Sequence, residues 1–239
     1  MRRASVILAT GAMLLAAAPA VEADSARTYE VTIENLTDGQ PFSPPIVALH
    51  NGGLKLFRVG RPASEGIQQI AENGNNGPMR EFLESSPIVR DLAEASEPLV
   101  PEGTPGSAMF DDDVTLTLES TRRARFLAFA TMLICTNDGF TGIGRVKAPG
   151  QVGQESVLFT VGYDAGTEIN TEDYADMVEP CQALIAGSVS ERGTGESDPA
   201  LAENGLVHLH QGIEGIADLD PDVHGWTEPV AQVTIERVA

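Results

Sequence analysis

The chain has 239 residues, 15 basic and 35 acidic, for a formal net charge of −20. A surface this acidic repels phosphate backbones and anionic bilayers, which excludes nucleic acid as a partner. Aromatic residues are only 5% of the chain, while 24 glycines and 15 prolines suit strands joined by many turns.

At the N-terminus, Arg2 and Arg3 precede an apolar run from Val6 to Ala18, followed by the small-x-small exits Ala18-Pro19-Ala20 and Val21-Glu22-Ala23. Basic start, short apolar core and small-residue exit are the parts of a secretory signal, assigned to residues 1–23, and the run is too short for a permanent anchor. A buried N-terminal helix is the competing reading of the run, and the paired arginines suit a twin-arginine route. No other hydrophobic stretch approaches membrane length. The remaining residues, 28–239, are expected to form one exported domain, periplasmic or extracellular, long enough to bury a core.

The first half of that domain opens with a strand. From Thr28 to Glu34, Tyr29, Val31 and Ile33 alternate with Glu30, Thr32 and Glu34, the pattern of a half-buried strand. Thr37-Asp38-Gly39 turns the chain, Ile46 to Leu49 is a second extended segment, and His50-Asn51-Gly52-Gly53 turns it again. Between residues 63 and 97 the period changes. Ser64 is placed to cap a helix carrying Ile67, Ile70 and Ala71, which Asn73-Gly74 stops. Met79, Phe82 and Leu83 suggest another short helix, and Ser86-Pro87 reads as a cap before a third with Ile88, Leu92 and Ala95. These short helices form one long excursion from a β framework.

Strands resume with Val114, Leu116 and Leu118. Phe126 to Ile134 is almost continuously apolar, a central strand buried on both faces. Val157, Phe159, Val161 and Tyr163 alternate again, Gly187 to Asp198 is a polar loop, Leu206 to His210 is a short strand, and Val233 and Ile235 lie on the last one. The first and last strands are free to pair. With no internal repeat or linker, the fold class is all-β, an antiparallel β-sandwich with short helices in its excursion.

The chain has two cysteines. An even count in an exported chain reads as a disulfide, Cys135–Cys181, which by loop closure stabilises by about 4 kcal/mol; a nucleophilic cysteine is the alternative. Two strands end in acidic loops, Asn137-Asp138-Gly139 and Asp164-Ala165-Gly166-Thr167-Glu168. Calcium takes six to eight oxygens from carboxylates, carbonyls and water, and loops at one end of a sandwich supply them from different strands. Asp164 and Glu168 lie four apart around a glycine, so the chain can bring both carboxylates to one point, where a cation would relieve their repulsion. Asp and Gly are also ordinary turn residues, so solvated turns are the competing reading. The proposed disulfide would tie the Asp138 loop to the segment after Glu168.

At these residues the chain resembles the spondin N-terminal domain family. The matching stretches are Ala63-Ser64-Glu65-Gly66-Ile67-Gln68-Gln69-Ile70-Ala71-Glu72, the Phe129–Gly144 region with Thr131-Met132 and Asn137-Asp138-Gly139-Phe140, Asp164-Ala165-Gly166-Thr167-Glu168, and the closing Val233-Thr234-Ile235-Glu236-Arg237-Val238. They keep the family's order from about Thr28 to Ala239. The resemblance implies an eight-stranded antiparallel sandwich like a C2 domain, with Ca2+ held at one end by the positions that look like Asp138, Asp164 and Glu168. Glu168 replaces an aspartate of animal members, and the first loop reads Asn137-Asp138-Gly139-Phe140 where they usually have proline before the aspartate and tryptophan after it. Animal members carry thrombospondin-type repeats and act in matrix adhesion. Those roles do not transfer without the repeats. What the resemblance implies is a calcium-binding module for adhesion or ligand binding at the cell envelope, its extracellular or envelope partner unidentified.

Three histidines form a second candidate. On a strand His208 and His210 point to one face, a spacing that suits Zn2+ with a third ligand from His50, Glu214 or His224. That would make a metal-dependent hydrolase with an acid such as Glu214 as base. A polar strand face beside a glycine-rich turn is the competing reading. Asp218, Asp220 and Asp222 form an acidic turn nearby, facing water or adding oxygens to the calcium site. No Gly-x-Ser-x-Gly elbow, phosphate loop, His-Glu-x-x-His or four-cysteine zinc pattern is present.

Overall fold

The structure is a computed structural model and describes residues 26–121 and 123–239. The secretory-signal assignment at residues 1–23 lies outside the described residues.

Ten strands and four short α-helices make up the described chain. All the strand pairs are antiparallel, in two sheets. The first sheet has β4 (Asp113–Ser120), β1 (Arg27–Asn35), β10 (Ala231–Arg237) and β7 (Glu155–Thr160), in that order. The second has β3 (Val89–Glu94), β2 (Ile46–His50), β5 (Phe126–Met132), β6 (Gly139–Lys147), β8 (Gly162–Asp164) and β9 (His208–Leu209). The first and last strands, which the sequence left free to pair, do so, Tyr29 opposite Arg237 through Asn35 opposite Ala231.

The sheets face each other across one core and the second sheet covers another on its far side. Val31, Ile33, Val233 and Ile235 of the first sheet pack with Val47, Leu49, Leu127 and Phe129 of the second. The alternate residues Ala48, Ala128, Ala130 and Met132 face α1 (Glu65–Asn73) and α2 (Gly77–Ser85) through Ile67, Ile70, Met79 and Leu83. This is why β5 is apolar but for Thr131, whose hydroxyl donates to the Ser43 carbonyl: it is buried on both faces. The three alanines keep the outer face shallow, so the helical layer comes close. Ser64 caps α1 by accepting from the Ile67 N–H at 3.3 Å, and Gly74, in the left-handed region at φ 61°, closes it. Two further helices follow late in the chain, α3 (Pro180–Ile185) and α4 (Pro221–His224).

Four expectations need correction. The eight strands are ten. The helix expected after Ser86-Pro87 is β3, because the fully buried β2 takes a ladder partner on each side, and pairing Ile46–His50 with Val89–Glu94 outweighs the three-and-four spacing of Ile88, Leu92 and Ala95. The run Val157–Tyr163 is not one strand. It crosses at Val161 from the first sheet, where β7 pairs β10, to the second, where β8 pairs β6. In β7 the apolar residues Val157 and Phe159 face outward and Ser156, Leu158 and Thr160 face inward. Finally, the strands expected over Phe126–Ile134 and Leu206–His210 are shorter: β5 ends at Met132, and β9 is His208–Leu209 alone.

The strand β6 escapes periodicity because it is glycine-rich. A Cβ on Gly142 would lie 2.4 Å from the Phe129 carbonyl oxygen of the paired strand. Gly142→Ala is therefore expected to cost about 1–3 kcal/mol through overpacking. Gly150→Ala, whose Cβ would meet only the Gln154 side chain at 3.9 Å, should be neutral. Urea unfolding of the two variants checks this.

Candidate metal centre

The acidic loops meet at the β5/β6 end of the second sheet. Register brings them there, because Gly139 stands opposite Asp164. The β5–β6 turn is fixed locally. Leu133 N–H donates to the Gly139 carbonyl at 2.9 Å, and Thr136 Oγ1 accepts from Gly139 N–H at 2.8 Å while donating to the Leu133 carbonyl at 2.6 Å. The Cys135–Cys181 disulfide, with Cα atoms 5.0 Å apart, ties the turn to the start of α3. Gln40 holds it from the other side, its Oε1 accepting from Cys135 N–H and its Nε2 donating to the carbonyls of Cys135 and His224.

Two side chains of this turn then organise the second loop. Asn137 Oδ1 accepts from the backbone N–H groups of Thr171 and Glu172 at 3.1 and 3.3 Å, and its Nδ2 donates to Thr171 Oγ1 at 3.0 Å. Asp138 Oδ2 accepts from Thr167 N–H at 2.7 Å, Thr167 Oγ1 at 3.2 Å and Glu168 N–H at 3.1 Å. Its other oxygen, Oδ1, is buried and has no partner, and the residue is 0% exposed. Burial, and then the charge of Asp164, push the Asp138 carboxyl up to about 7, against the pull of the Thr167 and Glu168 hydrogen bonds.

Asp164 is also buried. Its Oδ1 accepts from Gly166 N–H at 2.7 Å and lies 3.3 Å from His208 Nδ1; its Oδ2 accepts from Asn170 Nδ2 at 2.7 Å. Gly166 is required in this loop: its φ is +67°, and a Cβ would sit 2.6 Å from Leu206 N. Glu168 is buried but points elsewhere. Its Oε1 accepts from Asp198 N–H at 3.1 Å, beside Ser197, which bonds the buried Glu72. Burial holds Glu168 up at about 7, opposed by the Asp198 bond. Thus Asp138 and Asp164 come together, while the carboxylates of Asp138, Asp164 and Glu168 do not all fall within 4.8 Å of one another.

The pair suits a hard cation. A buried carboxylate oxygen without a donor is costly, and a second carboxylate beside it raises that cost. An oxygen-seeking ion such as Ca2+ relieves both, and Asp138 Oδ1 is the free position it would take.

The histidines are dispersed. His208 faces solvent beside Asp164. His210 accepts at Nδ1 from Gly212 N–H at 3.0 Å and meets Trp226 edge-on, with ring centroids 5.1 Å apart, and its buried Nε2 has no partner. His224 is used twice, its Nδ1 accepting from Asp220 N–H and its Nε2 meeting Tyr174 Oη at 3.0 Å. It lies against the disulfide sulfurs. His50 pairs with Phe126 at the start of β5, so the length of that strand, roughly 20 Å, separates it from the acidic loops. Among the described residues the three histidines His208, His210 and His224 do not converge as one ligand set. Glu214 is exposed. Asp218 accepts from Tyr174 N–H and Asp220 from Asp222 N–H, so the acidic turn faces water and caps backbone.

Sequence reasoning missed Asn137, Gln40 and above all Glu172. Glu172 is 5% exposed and its carboxylate accepts from the N–H groups of Glu214, Gly215 and Ile216 at 2.6, 2.7 and 2.8 Å. It sets the Gly212–Gly215 turn against the site loop, and the glycines of that turn were the one signal for it. Glu172→Gln turns an acceptor into a donor facing N–H groups, so it should cost about 2 kcal/mol, read as a lower urea midpoint at unchanged slope.

No helix among the described residues is long and apolar enough to cross a membrane. No protein-family model matches the chain. No curated protein matches it either.

Proposed function

We propose that the protein is an exported calcium-binding β-sandwich module of the spondin type, which holds an extracellular or envelope partner, as in adhesion. The observation that carries the calcium reading is the buried, partnerless Oδ1 of Asp138 beside Asp164. Asp138 and Asp164 would hold the ion, and Glu168, turned towards Asp198, would contribute only after rotating. Export is supported by the disulfide, which persists in oxidising compartments, and by the secretory pattern of residues 1–23. The bound ion's chemistry here is charge neutralisation, which locks the Asn137–Asp138 turn to the 164–172 loop and rigidifies that end of the sandwich as a docking surface.

Thermal unfolding with calcium, magnesium or chelator at matched ionic strength tests the reading. At a calcium concentration one hundred times Kd the stabilisation is about 2.7 kcal/mol, which for a domain of this size is roughly 5–10 °C. A rise seen equally with magnesium, or none, refutes it.

A further inference from the structure

A second feature lies where the chain crosses between the sheets, lined by none of the acidic loop residues Asp138, Asp164 and Glu168. A cleft of about 570 Å³ opens there, between the β2–α1 loop, the middle of β6 and the β7–β8 crossover. Its size is that of small-molecule sites. In a chain with 35 acidic and 15 basic residues, the lining contains Lys55, Arg58 and Arg145 and no carboxylate. Lys55 and Arg58 are exposed, and neither they nor Arg145 is in an ion pair among the described residues. Arg145 is held in place by donating to the Gly52 carbonyl at 2.7 Å and by lying over the Phe126 ring at 5.4 Å. Its guanidinium keeps further donors for a ligand. Glu228, whose charge reaches Tyr163, accepts from Gly162 N–H and Trp226 Nε1 and is not in the lining.

The cleft also carries apolar surface that folding leaves uncovered. Phe159 is 60% exposed and Val59 57% exposed, although the outward residues of neighbouring β10 are Gln232, Thr234 and Glu236. The floor is fixed. Phe57 packs at 4.9 Å from Phe140 and 5.0 Å from Tyr163, and a Cβ on Gly144 would meet the Phe57 carbonyl oxygen at 2.9 Å, so the loop lies directly on β6. A fixed floor lowers the ordering cost of binding.

We infer that this cleft binds a small organic anion with a planar apolar body, such as an aromatic carboxylate or sulfonate. The anionic group meets Lys55, Arg58 and Arg145, and the ring lies against Phe159 and Val59. The site is independent of the calcium reading, so either can fail alone.

The test is fluorescence titration of the purified protein with 8-anilinonaphthalene-1-sulfonate, with and without calcium. The expected result is saturation near one dye per chain, weakened about tenfold or more by Lys55→Ala/Arg58→Ala and by Phe159→Ser. Binding should fall at high salt and be unchanged by Arg90→Ala, which removes an exposed charge of another strand. Circular dichroism confirms that each variant is folded. Equal binding by the double variant, or equal binding of the uncharged N-phenyl-1-naphthylamine, overturns the inference, as does the absence of saturable binding.

Discussion

Asp138→Asn is expected to abolish the calcium-dependent rise in melting temperature while leaving the calcium-free protein at pH 8 at least as stable as the parent. Most substitutions of a fully buried, hydrogen-bonded residue destabilise, so the combination is diagnostic. It follows from the cost of the carboxylate. Above its raised pKa of about 7, Asp138 is a buried negative charge with one oxygen unpartnered and Asp164 alongside. Asparagine removes the charge and can still accept from Thr167 and Glu168 N–H through its carbonyl oxygen. The sign with pH is definite. The carboxyl binds its proton more tightly folded than unfolded, so its contribution is full below about pH 4 and is lost as pH rises to about 7. Burial lowers His50 to about 4, which gives the opposite slope between about pH 4 and 6.5. The difference between parent and Asp138→Asn therefore isolates the aspartate, and it should grow with pH to a few kcal/mol. Calcium competes with that proton, so the parent's response to calcium should be small at pH 5.5 and full at pH 8. Chemical denaturation across pH, with chelator or calcium, gives both quantities.

Replacing Cys135 and Cys181 together by serine should lower stability by about 4 kcal/mol, from the entropy returned to an unfolded chain no longer cross-linked over a separation of 46 residues. For a domain of this size that is roughly 8–16 °C in melting temperature. The same change should weaken calcium by about tenfold, because Cys135 is three residues from Asp138 and anchors the turn that presents it. The size of the second effect separates two roles. A loss of stability with calcium affinity intact would mean that Gln40 and Thr136 hold the turn by themselves, and that the disulfide serves only the fold.

The parts of the fold legible in the sequence are those where one face or one cap decides the outcome. The strands β1 and β10 alternate because one side meets the core and the other water, and α1 announces itself by Ser64 and Gly74. Where two neighbours compete for a segment, local pattern loses. Residues 88–95 have helical spacing but complete a ladder with β2. The outward Val157 and Phe159 follow from a crossover at Val161 that no period marks. The site divides in the same way. Two acidic loops following strands were readable; β6, which lies between β5 and β8, brings them together by placing Gly139 opposite Asp164. The direction of Glu168 was not, since it depends on Asp198, thirty residues away in sequence and brought close only by the fold. Asn137 and Glu172 act through backbone N–H groups, and the only trace of this in residue type is the glycines of the turn that Glu172 holds.

The central claim is most directly tested by isothermal titration of calcium into the chelator-treated protein at pH 8, alongside Asp138→Asn. One site per chain in the parent, weaker at pH 6 with protons released on binding, and no heat from the variant is the expected result. Absence of binding in the parent, or the same isotherm from both proteins, would contradict it and leave Asp138 and Asp164 as a structural pair.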